Sequence, residues 1–111
     1  RISPIWIKSN RSYYSGKHED FKNAKNFVNQ GDWSSAVLLW KPLTNSEDLK
    51  TSSRASYNMA LASEINGSLD TAIEWAITAK KLGNKKASNY INILNKLKID
   101  QEKLKKQLKN N

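Results

Sequence analysis

Cysteine is absent from this 111-residue chain, so disulfides and thiolate metal sites are excluded and nothing in the chain reports the redox state of its compartment. No apolar run approaches the roughly 20 residues that a membrane-spanning helix needs, and no hydrophobic signal core opens the chain. Histidine occurs once, as His18 beside Glu19 and Asp20. A metal needs about three or four converging ligands, so that group reads as a solvated helix start. The phosphate-binding, zinc-protease and nucleophile-elbow motifs are all missing. Glu64 and Glu74 fall on different helices, where nothing makes two carboxylates meet for acid/base work. The expectation is a protein that is not an enzyme and uses no metal and no cofactor.

Acidic residues are also scarce: 10 against 19 basic ones, for a net charge of +9. The excess lies at the ends. Residues 1–30 hold six basic and two acidic residues, 31–95 seven and six, and 96–111 six and two. Sixteen of the 19 basic residues are Lys, whereas base reading and bidentate phosphate contacts favour Arg. The tails therefore weigh against nucleic acid as the partner, and Lys-rich binding of an anionic surface or nucleic acid stands as the alternative to a protein partner.

What the chain does have is a period. Gly31 and Ala36 recur 36 residues on as Gly67 and Ala72. A Gly that closes one helix, followed five residues later by a small residue in the next, fits a helix-turn-helix unit stacked on a copy of itself. One hundred and eleven residues are enough for one such domain, here taken as 17–111. Residues 1–16 read as an N-terminal arm or the end of an upstream domain, because RISPIWIKSNRSYY starts without Met and carries IWI and two adjacent tyrosines. The expectation is a piece of a longer protein.

Helical periodicity predicts five helices. Phe21, Ala24, Phe27 and Val28 mark one over 17–30, stopped by Gly31. Asp32 caps the next, over 33–41, with Ala36, Val37, Leu39 and Trp40 facing inward and Pro42 kinking or closing it. Ser46, with Glu47 and Asp48 behind it, predicts the start of a third that ends near Asn66. Ser68 caps a fourth to Leu82, and Gly83-Asn84 precedes a last one from Lys86 almost to the terminus. Trp33, Trp40 and Trp75 stand at core spacing, and Trp6 is expected to pack the arm over the first helix pair.

ASYNMALASEINGSLDTAIEWAITAK is similar to a tetratricopeptide repeat, with Met59, Ala60, Gly67, Ala72 and Ala79 on the matching places. HEDFKNAKNFVNQGDWSSAVLLWKPL matches through Ala24, Phe27, Gly31, Ala36 and Trp40, and a third first-helix fits through Tyr90, Ile93, Leu94 and Leu97. The usual closing proline is missing from the second unit, where Asn84 stands. The resemblance implies an all-α, tetratricopeptide-like α-solenoid of helix pairs with a short arm and a long C-terminal helix. It also implies a concave face built from His18, Phe21 and Lys25, from Arg54, Tyr57, Leu61 and Glu64, and from Ser88, Ile91 and Asn95. Of these, Phe21, Lys25, Arg54, Tyr57, Leu61, Glu64 and Asn95 are the candidate partner-binding residues, suited to an extended peptide or protein. A clamp for a C-terminal carboxylate would match only Asn58, since Phe21 stands where a Lys is expected.

GDWSSAVLLWKPL, YNMALASE and AIEWAITAK, preceded by Trp6, Arg11, Tyr13 and Tyr14, also resemble the C-terminal part of a family of Bacteroidetes-type lipoproteins. That likeness implies export to the envelope or periplasm and anchoring through a lipidated Cys upstream. In the last helix, Tyr90, Leu94, Leu97, Gln101, Leu104 and Leu108 alternate steps of four and three, the pattern of a helix seam. Leu104 and Leu108 fall beyond the preceding pair, which makes them candidates for self-association or for contact with a missing N-terminal domain.

Overall fold

The computed structural model describes residues 13–16 and 18–110. The expectations for Ile5, Trp6, Ile7 and Arg11 lie outside the described residues. Within them the chain is all-α: α1 (Glu19–Asn29), α2 (Trp33–Leu43), α3 (Leu49–Ile65), α4 (Leu69–Lys81) and α5 (Ala87–Asn110), with no strand.

The helix starts follow from local hydrogen bonding, with one correction. His18 is the N-cap of α1, its Nδ1 accepting from the Asp20 amide at 3.1 Å. Asp32 caps α2 by accepting from the amide and hydroxyl of Ser35 at 3.0 and 2.6 Å. These bonds, the hydroxyl one first, hold its carboxyl below the usual range. Ser46 was the expected cap of α3, but the cap is Asp48, which accepts from the amide and hydroxyl of Thr51 at 3.3 and 2.6 Å. Ser46 instead accepts from the Asp48 amide, so the hydroxyl orders the loop and the carboxylate, nearer the first turn, takes the cap. Ser68 occupies the cap position of α4 without a side-chain cap bond. Pro42 lies inside the last turn of α2, which runs one residue beyond it and closes with tight bonds from Thr44 to Lys41 and from Asn45 to Pro42.

The helix ends explain the period. At Gly31 (φ 79°) and Gly67 (φ 85°) the backbone is left-handed, and nothing lies within 4 Å of where a Cβ would stand. Glycine is needed there for its conformation, not for space. Asp32 donates to the Phe27 carbonyl, Ser68 to the Ser63 carbonyl and Asn84 to the Ala79 carbonyl, so the same six-residue closure is made three times, and at the first two the residue that completes it stands at the N-cap of the following helix.

Packing is sequential, α1 on α2, α2 on α3, α3 on α4 and α4 on α5. One buried cluster joins Phe21, Ala24 and Val28 of α1, Ala36 and Trp40 of α2, and Ala55, Met59 and Ala62 of α3. A second joins Tyr57, Ala60 and Leu61 of α3, Ala72, Ala76 and Ala79 of α4, and Ala87, Tyr90 and Leu94 of α5. Alanines let the helix axes approach, while Trp40 and Tyr90 fill the wider gaps. Trp40 is fully buried; Trp33 and Trp75 are half-buried against both clusters. Helix α3 serves both clusters and is therefore covered on nearly every side.

Candidate functional site

The buried centre of α3 is unusually polar, and Ser52, Ser53, Ser56, Asn58 and Glu64 each make a side-chain hydrogen bond. Ser52, Ser53 and Ser56 turn their hydroxyls back onto the carbonyls of Leu49, Lys50 and Ser52. Tyr90 donates its hydroxyl to Glu64 Oε1 at 2.6 Å, tying α5 to α3. Asn58 is different, because its partner is backbone 44 residues away. Its Oδ1 accepts from the Tyr14 amide at 2.7 Å and its Nδ2 donates to the Tyr14 carbonyl at 2.8 Å.

That pair of bonds seats the arm on α3. The two adjacent tyrosines take different aromatic partners. Tyr13 packs against both clusters, its ring 6.0 Å from both Trp33 and Trp40, and burial pushes its phenol pKa up. Tyr14 packs on the α3–α4–α5 cluster, edge-on to Tyr57 at 5.4 Å and 79°. Tyr57 in turn meets Tyr90 at 5.1 Å. The guanidinium of Arg54 stands 5.1 Å and the ammonium of Lys86 5.5 Å from the centroid of the Tyr14 ring, within the range of cation–π attraction. Asn84 Nδ2 donates to the Tyr14 hydroxyl at 3.2 Å, and Asn84 Oδ1 accepts from the Lys86 amide at 2.9 Å, which orients the amide.

The seven candidate residues therefore differ in access. Arg54, Tyr57, Leu61 and Glu64 share one face of α3; Tyr57, Leu61 and Glu64 are buried and Arg54 is half-buried. Phe21 is buried in the α1–α2–α3 cluster, edge-on to His18 at 6.0 Å. Lys25 on α1 and Asn95 on α5 are exposed. The structure brings Arg54 and Tyr57 together around Tyr14; the contacts described here do not bring Lys25 or Asn95 to the same place. Sequence reasoning missed Tyr14, Asn84 and Lys86 as members of this cluster. The available signals were the adjacent tyrosines of the arm and Asn58, an amide facing a helical interior, where it must find partners.

Among the described residues no group of His, Asp and Glu is placed to hold a metal, and no helix is long and apolar enough to cross a membrane. Leu104 and Leu108 are 54% and 68% exposed on the second half of α5. A family model described as a domain of unknown function (DUF6340) matches residues 22–97. No curated protein and no solved structure matches the chain.

Proposed function

The chain belongs to the DUF6340 family, and we propose that it is a non-enzymatic protein–protein interaction or scaffold module that binds an extended peptide or protein segment. In this reading the helix pairs stack as a tetratricopeptide-like α-solenoid, supported by the closure repeated at Gly31 and Gly67 with Ala36 and Ala72 fully buried after it. The concave face is then formed by α1, α3 and α5. One observation carries the binding role: Asn58, buried on α3, holds both hydrogen-bonding groups of a residue in a non-helical segment. Backbone pairing of that kind accepts many sequences, and neighbouring side chains add selectivity.

Peptides selected from a random display library against the full chain test the reading. Their binding is expected to change little between about 50 and 200 mM salt, where polyanion binding falls steeply, and to weaken on Arg54→Ala or Lys25→Glu. Steep salt dependence would favour the Lys-rich alternative. Binders indifferent to Arg54, Lys25 and Asn95 would move the site to another face. The same reading takes the parent protein to be exported and lipid-anchored, tested by labelling the full-length protein with a fatty-acid analogue, and assigns self-association to Leu104 and Leu108.

A further inference from the structure

Tyr14 meets α3 as a bound residue meets a receptor. Its backbone is engaged on both sides by one amide, Asn58, at 2.7 and 2.8 Å. Its side chain is read separately. Tyr57 packs edge-on with the ring, Arg54 and Lys86 stand over it, and Asn84 donates to the hydroxyl. Covering an apolar helix face needs only an apolar side chain. Here the floor holds a buried amide and the rim holds two cations and a second amide. The cations select an aromatic ring, and the Asn84 donor selects a hydroxyl on it.

Tyr14 also stands close in sequence to the first helix. Tyr14 is joined to α1 through residues 15–18, with Gly16 exposed 3.8 Å from Arg54 Nη1 when a Cβ is placed on it. A short linker supplies a tethered group at an effective concentration of about millimolar. At that concentration an arm fills even a weak site and closes it to a dilute competitor.

We propose that the Asn58–Tyr57–Arg54–Lys86–Asn84 clasp is a recognition site for an extended segment of another polypeptide presenting a tyrosine, and that Tyr14 is its built-in competitor. The inference rests on the concave-face reading and narrows it to one residue class and one position. A ligand enters by displacing Tyr14, so binding couples to release of the arm. The exchange breaks and remakes the same two backbone hydrogen bonds and leaves Tyr13 to follow the arm out of its place beside Trp33 and Trp40.

The probe is a synthetic peptide with the sequence of residues 9–18, SNRSYYSGKH, titrated into the isotope-labelled full chain while the Asn58 side-chain amide is followed by NMR. Tyr14→Pro removes both the ring and the amide that donates to Asn58. It is expected to bind the peptide at least tenfold more tightly than wild type, with binding lost for a peptide with Ala in the Tyr14 place and in Tyr14→Pro/Asn58→Asp, where the backbone amides of α3 are followed instead. No shift of the Asn58 amide at about 5 mM peptide, well into the range a tether supplies, overturns the proposal, as does equal binding by wild type and variant. Should Tyr14→Pro fail to fold, wild type decides: the SNRSYYSGKH peptide must accelerate hydrogen exchange at the Tyr14 amide and its Ala version must not. Unchanged exchange overturns it. Library peptides that bind through Arg54 when this peptide does not would keep the concave-face reading and remove only the mimicry by the arm.

Discussion

Helix α3 and the second half of α5 have the same backbone conformation and opposite surroundings. Between Ser52 and Ala62 every residue of α3 but Arg54 is buried, Ser52, Ser53, Ser56 and Asn58 among them. From Ile99 to Lys109 every residue of α5 is exposed, including Ile99, Leu104 and Leu108. The Lys-rich end of α5 is the more polar segment, in keeping with its exposure, but the four buried polar residues of α3 and the three exposed aliphatics of α5 run against residue type. Position decides: α3 has α2 on one side and α4 and α5 on the other, while α5, at 24 residues, outruns the helix it packs on. Small polar residues tolerate burial when a carbonyl or a neighbouring backbone takes their hydrogen bonds, and leucines tolerate water when nothing is there to cover them.

The comparison breaks first at the covered side. Trp40→Ala removes a fully buried ring and is expected to cost about 3–5 kcal/mol, Leu61→Ala about 2–5, and Leu108→Ala no more than about 0.5. Urea unfolding measures all three, and a Leu108 effect equal to that of Leu61 would mean that the end of α5 is covered in solution.

Overpacking sharpens it next. Ala72 has no exposed surface where α4 meets its neighbours, so Ala72→Leu is expected to cost about 1–3 kcal/mol. Thr71, one residue away and exposed, should tolerate Leu with almost no change in Tm. Equal Tm values for the two variants would remove the close helix contact on which the repeat reading depends.

The pH dependence should be smaller and should come from helix starts and the arm. Asp32 and Asp48 have carboxyl pKa values lowered, chiefly by hydroxyl bonds from Ser35 and Thr51. A lowered folded-state value contributes stability above the unfolded value of about 3.9, lost as the pH falls through the folded one. Acid unfolding of Asp32→Asn/Asp48→Asn should lose part of that slope below about pH 4. Tyr13 works in the opposite direction, because burial raises its phenol. Its contribution is present below about pH 10 and lost as the pH rises further, so Tyr13→Phe should flatten the alkaline limb. An unaltered limb in that variant would mean that the arm leaves α3 before the phenol titrates.

The smallest effect on stability is expected for Leu104→Ser/Leu108→Ser. Sedimentation is the informative measurement: the self-association reading expects wild type to shift toward a dimer at high concentration and the double variant not to. Two identical monomers would discard that seam and leave Leu104 and Leu108 to a partner other than a second copy.

Much of this architecture was legible in the chain. Gly31, Gly67 and Gly83 mark helix ends because only a left-handed residue closes the turn cheaply, and the apolar steps of α1 and α4 mark their inner faces. The cap of α3 was misread, since Ser46 and Asp48 are both competent acceptors and only the path of the loop chooses between them. The candidate face was legible as a row of positions, 54, 57, 61 and 64, but not as a surface. Its access depends on Tyr14, which reaches Asn58 across 44 residues of sequence.

The sequence by itself determined where helices stop, most of their starts and which stripes turn inward, because those depend on bonds within a few residues and on the 3.6-residue period. Only the tertiary structure decided that the polar side of α3 is interior, that the arm lies on it with Tyr13 beside Trp33 and Trp40 and Tyr14 beside Tyr57, and that the last turns of α5 stand free. Those outcomes depend on which surfaces remain after every helix has packed, and no local rule counts the neighbours a residue will have.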